Sequence, residues 1–154
     1  MRAVVQRVTR AEVRVGDEVV GRIGRGLLLL VGVEKGDGEA DADVTARKIA
    51  ALRMFPGRTP MDVTAAEAGG ACLVVSQFTL CATLAKGNRP SFEPAEAPAR
   101  AEALYLRVAD GLRAAGLAVE TGRFAADMAV ELVNDGPVTF IVAVRAGRLT
   151  ESPA

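Results

Sequence analysis

Near the C-terminus, two apolar runs are joined by the stretch Val133-Asn134-Asp135-Gly136-Pro137-Val138-Thr139. Asp-Gly between apolar runs is a strong hairpin signal, and the proline that follows would begin the second strand without an N–H. Glycine also lets a ligand approach the backbone closely. The local pattern therefore leaves two interpretations open: a tight turn between two strands, or a backbone segment placed against a ligand.

Outward from this stretch, the sequence predicts a sheet built from many short strands. Alternating apolar residues on either side predict strands at 128–133 and 138–144. Similar or continuous apolar runs predict further strands at 2–8, 12–23 (as a hairpin), 26–33 and 72–80, with a short one near 61–63.

Two segments have helical periodicity instead. Apolar residues recur every three or four positions over 39–54 and over 98–115, which gives each predicted helix one apolar face. Together with the strands, this pattern predicts an α+β fold: a curled, barrel-like, mostly antiparallel sheet with two covering helices. We expect a single domain over residues 1–144, followed by a frayed tail over 145–154 where apolar periodicity is lost.

Composition limits the function. The 154 residues carry 19 basic and 19 acidic side chains, so any contact with RNA requires a local basic patch. The longest apolar run is too short to span a bilayer. The N-terminus lacks a signal-peptide core, and two cysteines do not form a disulfide framework, so we expect a cytoplasmic protein with reduced thiols.

The chain contains no histidine. This absence removes the histidine-dependent nucleophilic triads and the usual general base near neutral pH. It also removes zinc sites that use histidine, and two cysteines cannot complete a structural one. An enzyme with this composition must act through positioning, backbone dipoles, carboxylates or groups on the substrate.

Three polar or aromatic segments are candidates for chemistry. Ser76-Gln77-Phe78-Thr79 ends an apolar strand, where alternation places Ser76 and Phe78 on one face and Gln77 and Thr79 on the other. Lys86 and Arg89 lie on a Pro- and Gly-containing loop before Phe92, a combination suited to phosphates and bases. The third segment, Gly122 to Met128, holds an arginine, Phe124 and Met128. For each segment an ordinary structural role also remains open: a strand end, a solvated loop or core packing.

Taken together, these segments resemble one family. The sequence is similar to D-aminoacyl-tRNA deacylases of the bacterial and eukaryotic type over about residues 1–144. The resemblance is carried, in the family's order, by Val5-Gln6-Arg7-Val8, Ser76-Gln77-Phe78-Thr79-Leu80, Arg89-Pro90-Ser91-Phe92, Gly122-Arg123-Phe124-Ala125-Ala126-Asp127-Met128 and Asn134-Asp135-Gly136-Pro137-Val138-Thr139.

The resemblance implies an activity and a set of partners. Members of the family hydrolyse the ester that joins a D-amino acid, or glycine mischarged on alanine tRNA, to the terminal ribose of tRNA. It implies a cytoplasmic homodimer with active sites at the subunit interface, without metal or organic cofactor. The protein partner is a second copy, and the RNA partner is the acceptor 3′ end of aminoacyl-tRNA.

The resemblance also assigns residues. Ser76, Gln77, Phe78 and Thr79 would form the catalytic segment, and Phe124, Ala125 and Met128 would bind the terminal adenosine. The pair Gly136-Pro137 would be cis and project into the other subunit's pocket. There its backbone would exclude the side chain of an L-amino acid. Lys86, Arg89 and Arg7 are the expected tRNA contacts.

Two other classes of function stay open on the sequence. A dimeric module that binds a nucleotide or small molecule would use the same pocket without chemistry. A serine or threonine esterase would instead form an acyl-enzyme at Ser76 or Thr79, although no histidine activates either hydroxyl.

Overall fold

The computed structural model describes residues 1–150. Its strands are Arg2–Val15 (β1), Glu18–Ile23 (β2), Gly26–Gly32 (β3), Arg53–Phe55 (β4), Val63–Thr64 (β5), Ala71–Ser76 (β6), Ala118–Thr121 (β7), Ala129–Arg145 (β8) and Arg148–Thr150 (β9). Its helices are Glu39–Ala51 (α1) and Pro98–Ala114 (α2), with a short 3₁₀ helix at Phe78–Cys81. No helix within this range is long and apolar enough to cross a membrane.

The main sheet has seven strands. Its order is β7-β6-β3-β1-β8-β9, and β2 pairs with the second half of β1. The pairs β3–β6 and β6–β7 are parallel, and the others are antiparallel. The sheet curls into a half-barrel, so the predicted α+β fold with a mostly antiparallel sheet and two helices is confirmed.

The hairpin interpretation of the Asp-Gly stretch is wrong. The two predicted strands are one continuous strand, β8, and both halves pair with the long strand β1. Pairing jumps from Val8 opposite Asn134 to Gln6 opposite Thr139, so the intervening residues bulge out of the ladder. A long partner strand keeps the chain running in one direction, a constraint that local turn signals do not report. The Gly136-Pro137 peptide bond is cis, as the resemblance implies.

Other element boundaries also differ from expectation. Helix α1 ends at Ala51 instead of residue 54, because Arg53–Phe55 pairs with Val63–Thr64. The strand predicted to run to residue 80 ends at Ser76. Strand β7 was not predicted. The tail does not fray at residue 145, because Arg148–Thr150 adds an antiparallel strand to β8; the rest of the predicted tail, 151–154, lies outside the described residues.

Both faces of the sheet carry core residues. On one face, Leu27 and Leu29 of β3 belong to the cluster that includes Ile49 of α1 and Leu112 of α2. On the other face, Leu28 and Leu73 pack with β2 residues where the sheet curls back on itself. Continuous apolar runs in β3 and β6 are the expected consequence of burial on both faces.

The start of α1 is tied to the end of the sheet by Asp41. This side chain is 3% exposed, and its oxygens accept hydrogen bonds from the backbone N–H groups of Gly147 (2.9 Å) and Gly38 (2.8 Å). Burial opposes ionisation of this carboxyl, but the two N–H donors outweigh it and hold its pKa below the usual 3.8. The ionised carboxylate therefore stabilises the fold.

We expect Asp41→Asn to lower the free energy of unfolding at pH 7 by about 1–3 kcal/mol, because an amide nitrogen would face an N–H donor. A depressed pKa gives stability that is present above about pH 3.8 and is lost as pH falls through the folded pKa. The difference between variant and wild type should therefore shrink as the pH falls below 3.8, as urea unfolding would measure. Asp17→Asn in an exposed turn is the control, and a pH-independent difference would contradict the assignment.

Candidate active site

A pocket of about 490 Å³ lies where the three parallel strands end. Val31 and Val33 line it from β3 and the residue after it, Val75 and Ser76 from β6, and Phe124 to Met128 from the segment after β7. Helix α2 closes one side with Ala101 and Tyr105. Ligands commonly bind at the carboxyl ends of parallel strands, because loops diverge there and leave backbone groups unpaired.

The segment after β6 turns sharply into the 3₁₀ helix. The N–H of Gln77 donates to the carbonyl of Val31 (2.8 Å), and the N–H of Leu80 donates to the carbonyl of Gln77 (3.2 Å). The expected alternation of faces over 76–79 is therefore wrong, because the chain leaves the strand at Ser76. The N–H groups of Phe78 and Thr79 stand in the first turn, where a helix supplies no acceptor of its own.

Gln77 and Thr79 interact directly. The Nε2 atom of Gln77 donates to Oγ1 of Thr79 in a short hydrogen bond. Ser76, Gln77 and Phe78 line the pocket, whereas Thr79 is exposed outside the lining and orients the Gln77 amide. The turn after β6 thus places Ser76, Gln77 and Phe78 at the pocket, with Thr79 next to them as the hydrogen-bond partner of Gln77.

The opposite wall comes from the segment after β7. The N–H of Gly122 bonds the carbonyl of Val74 (3.0 Å), which fixes this segment beside β6. A side chain at Gly122 would come within 2.7 Å of Met128 Sδ, so glycine allows Met128 to lie against the strand. Phe124 stacks on Tyr105, with ring centroids 6.0 Å apart. Ala125, at φ 60°, lies in the turn between Phe124 and Met128. Phe124, Ala125 and Met128 all line the pocket.

Gly136 and Pro137 lie elsewhere. Both are exposed, and neither lines the pocket of its own chain. Arg7 braces their bulge: its Nε donates to the carbonyl of Asp135 (3.0 Å) and pairs with the Asp135 carboxylate (3.0 Å), while NH1 donates to the carbonyl of Met54 (2.6 Å). The Arg7 side chain is only 11% exposed, so its guanidinium is already committed to the protein.

The two other predicted tRNA contacts are placed differently. Lys86 and Arg89 are exposed on the loop between Thr83 and Ser91, outside the pocket. Within residues 1–150, neither makes an ion pair with a carboxylate. Both cations are therefore available to a ligand's phosphates.

Few charged groups reach the pocket. Glu96 lines it, but its carboxylate accepts the N–H of Ala97 (2.7 Å) and pairs with Arg100 (3.5 Å) at the start of α2. Asp127 lines the rim and is exposed. Over the described part of the chain, no group of three or more His, Cys, Asp or Glu side chains could hold a metal ion.

Sequence reasoning missed Tyr105, Ala101 and the β3 residues of the pocket. Tyr105 is 2% exposed, and burial raises the pKa of its hydroxyl. The apolar periodicity of α2 identified its buried face but gave no sign that one end of that face borders a cavity. Recognising β7 would have supplied the missing signal, because its parallel pairing with β6 marks the edge where the strands end.

The fold and the pocket define a small α+β domain of the ligand-binding or enzymatic class, with its site at the carboxyl edge of a mixed sheet. Comparison with known proteins narrows this class. The family model described as D-Tyr-tRNA(Tyr) deacylase matches residues 4–143. A D-aminoacyl-tRNA deacylase from Anaeromyxobacter dehalogenans is 59% identical over 143 residues, covering 92% of this chain and 96% of the relative. A D-aminoacyl-tRNA deacylase from Paracoccus denitrificans is 58% identical, covering 90% of this chain and 94% of the relative.

Two solved structures share the fold over most of the chain. The c-Myc DNA unwinding element binding protein superposes with a TM-score of 0.85 at 38% identity, covering 100% of both chains. A probable eukaryotic D-amino acid tRNA deacylase shares the fold, with a TM-score of 0.71 at 19% identity, covering 91% of this chain and 97% of that one. The chain belongs to the D-aminoacyl-tRNA deacylase family, a family of hydrolases, as its motifs suggest.

Proposed function

We propose that this protein hydrolyses the ester bond of D-aminoacyl-tRNA and releases the free D-amino acid and tRNA. The observation that carries the proposal is the convergence of Ser76-Gln77-Phe78 and Phe124 to Met128 on one pocket at the carboxyl edge of the sheet. The pocket has room for a terminal adenosine with an esterified amino acid, since small-ligand sites typically measure about 300–1,000 Å³.

In this proposal, backbone groups stabilise the transition state. The N–H groups of Phe78 and Thr79 lie in the first turn of the 3₁₀ helix, which supplies no acceptor for them. Either would bond the oxyanion that forms when water attacks the ester carbonyl. Gln77, oriented by Thr79, would position the substrate or the water. Proton transfer would fall to water and to substrate groups, because the chain contains no histidine.

The adenosine would lie against the other wall. Phe124, held by its stack on Tyr105, and Met128 offer apolar surfaces to a base, and Ala125 leaves room between them. Lys86 and Arg89 would contact tRNA phosphates. Arg7 is committed to Asp135 and Met54, so we assign it to holding the Gly136-Pro137 bulge in place of the tRNA contact expected from sequence.

We further propose that the Gly136-Pro137 bulge completes the pocket of a second subunit. Both residues are exposed and lie outside their own pocket, and Arg7 fixes them from behind. The open face of the sheet offers apolar contact for a dimer, because Ile141 on β8 is 60% exposed beside the half-buried Val4 of β1. Backbone placed opposite the amino acid's α-carbon would exclude an L side chain while admitting a D side chain or the hydrogen of glycine.

The decisive experiment follows release of amino acid from D-aminoacyl-tRNA, L-aminoacyl-tRNA, and glycine mischarged on alanine tRNA. The proposal requires turnover of the D and glycyl esters and slow turnover of the L ester. Binding of all three without release would instead favour a nucleotide-binding module. This substrate implies that the protein acts in the cytoplasm.

The effect of Thr79→Ala separates backbone catalysis from a serine or threonine esterase. Thr79→Ala should lower the rate of ester hydrolysis by no more than about 10²–10³-fold, the effect of losing one oxyanion donor or its support. Loss of a true nucleophile would cost about 10⁶-fold. Single-turnover deacylation measures the rate, and Thr83→Ala on the adjoining loop is the matched control. An acyl group trapped on Ser76 or Thr79 and detected by mass spectrometry would refute backbone catalysis.

A further inference from the structure

Beside the pocket lies an exposed surface of which the proposed function uses only the two cations, Lys86 and Arg89, and the backbone N–H of Phe78. It consists of Phe78, Leu84, Lys86, Arg89 and Phe92, and we call it the 84–92 surface. Its apolar side chains are unusually open: Leu84 is 70% exposed, Phe78 57% and Phe92 41%. Isolated exposed apolar residues are common, but a group of them beside a pocket suggests a contact site.

The 84–92 surface has a defined shape. Two backbone hydrogen bonds between Thr83 and Ser91, of 2.9 and 3.1 Å, close the loop that carries Leu84 and the cations. Phe92 follows directly and meets Phe78 edge to face, with ring centroids 5.1 Å apart and planes inclined by 70°. Because Phe78 also lines the pocket, the surface is continuous with the site.

Its charge is positive. Lys86 and Arg89 make no ion pair within residues 1–150, whereas arginines such as Arg22 and Arg107 are paired with carboxylates. The nearest acidic residue in sequence, Glu93, also makes no ion pair in this range. In a chain whose formal net charge is zero, two free cations beside two aromatic rings form a local patch.

Open aromatic rings flanked by cations are what single-stranded nucleic acid requires: bases stack on the rings, and the cations follow the phosphates. We propose that the 84–92 surface binds the unpaired nucleotides that precede the terminal adenosine, with a base stacked on Phe92 and phosphates held by Lys86 and Arg89. This inference rests on the proposed function, since it requires the terminal adenosine and its ester to occupy the pocket.

The test compares two substrates, D-aminoacyl-tRNA and D-aminoacyl-adenosine, which lacks the preceding nucleotides. Phe92→Ala should lower kcat/KM for the tRNA ester by about fivefold or more, the effect of losing one stacked base. Hydrolysis of the adenosine ester should change by less than about twofold, since Phe92 itself does not line the pocket. Phe92→Tyr keeps the ring and should restore activity on tRNA.

The salt dependence of kcat/KM tests whether the two cations contact phosphates. For the double variant Lys86→Ala/Arg89→Ala, the slope of log kcat/KM against log salt should be shallower by about 1.4, or about 0.7 per phosphate contact on a single strand. The double variant Arg47→Ala/Lys48→Ala removes the same charge from exposed positions on α1 and should leave the slope unchanged.

Several outcomes would overturn the inference. Equal losses on both substrates would make Phe92 a support of the pocket, and no loss on tRNA would remove the contact. A shift in the mass of the assembly on Phe92→Ala would make the surface a contact between copies. If the wild type hydrolyses neither ester, the proposed function fails. Fluorescence anisotropy with a labelled single-stranded RNA then tests the surface alone, with weaker binding by Phe92→Ala supporting it and equal binding refuting it.

Discussion

Gly136→Ala should abolish hydrolysis of D-aminoacyl-tRNA, with a loss of at least about 100-fold, as expected when reacting groups are displaced by about 1 Å. A Cβ at this position would stand 2.2 Å from Asn134 Nδ2 and 3.3 Å from the backbone nitrogen of Val138. The Asn134 amide must move, which breaks its bond from Gln6 Nε2 (3.2 Å) and reshapes the bulge. Because a flexible, exposed side chain absorbs the clash, the variant should still fold.

A mixed dimer tests whether the bulge acts across the interface. One subunit carries Gly136→Ala, and the other carries Gln77→Ala and Thr79→Ala. If the bulge serves the partner, one site has both defects and the other has neither, so about half of the wild-type activity should return in a symmetric two-site dimer. Gly24→Ala, where nothing lies within 4 Å of the new Cβ, is the matched control. An inactive mixed dimer, shown by mass to have formed, would mean that each bulge serves its own subunit.

Among substitutions that add one methyl group to the sheet, Gly26→Ala should be the most destabilising. Gly26 pairs with Ala71 across the parallel β3–β6 contact, and a Cβ there would stand 1.9 Å from the Ala71 carbonyl oxygen. Backbone cannot rotate away as a side chain can, so the two central strands must separate next to the fully buried Leu27. We expect a loss of at least about 3 kcal/mol, in the range of the most damaging substitutions.

Thermal unfolding measures this effect. A loss of that size should lower Tm by about 6–12 °C in a domain of this length, or prevent recovery of folded protein. Gly24→Ala, two residues away and without a clash, should leave Tm unchanged within about 2 °C. A Gly26→Ala protein that melts with the wild type would show that β3 and β6 are less closely paired than the structure has them.

Elements defined by their own periodicity were predictable. The two helices and the buried strand β3 carry apolar patterns that hold without reference to any partner. Elements defined by a partner were not. β8 reads locally as two strands and a turn, yet β1 is long enough to pair with both halves. β7 has only four residues, and it is a strand because β6 lies beside it.

The site shows the same division. The resemblance grouped Ser76 to Phe78 with Phe124, Ala125 and Met128, and the structure places them around one pocket. Local alternation misplaced Phe78 and Thr79, because a 3₁₀ helix replaces the end of the strand. Tyr105 was out of reach of sequence reasoning, since its contact with Phe124 depends on how α2 crosses the sheet. The sequence predicted that Arg7 contacts tRNA, but its guanidinium donates to the carbonyl oxygens of Asp135 and Met54.

The continuous strand β8 also bears on how much of the protein a cell must make. It begins beside the pocket at Ala129 and carries Gly136 seven residues further on. The strand therefore holds a chain's bulge roughly 20 Å from that chain's own pocket. A paired strand cannot shorten, so under the proposed cross-subunit arrangement a lone chain would lack a bulge at its pocket. If the bulge works across the dimer, output at low abundance rises with the square of the chain concentration. Under that condition, halving expression would remove more than half of the activity.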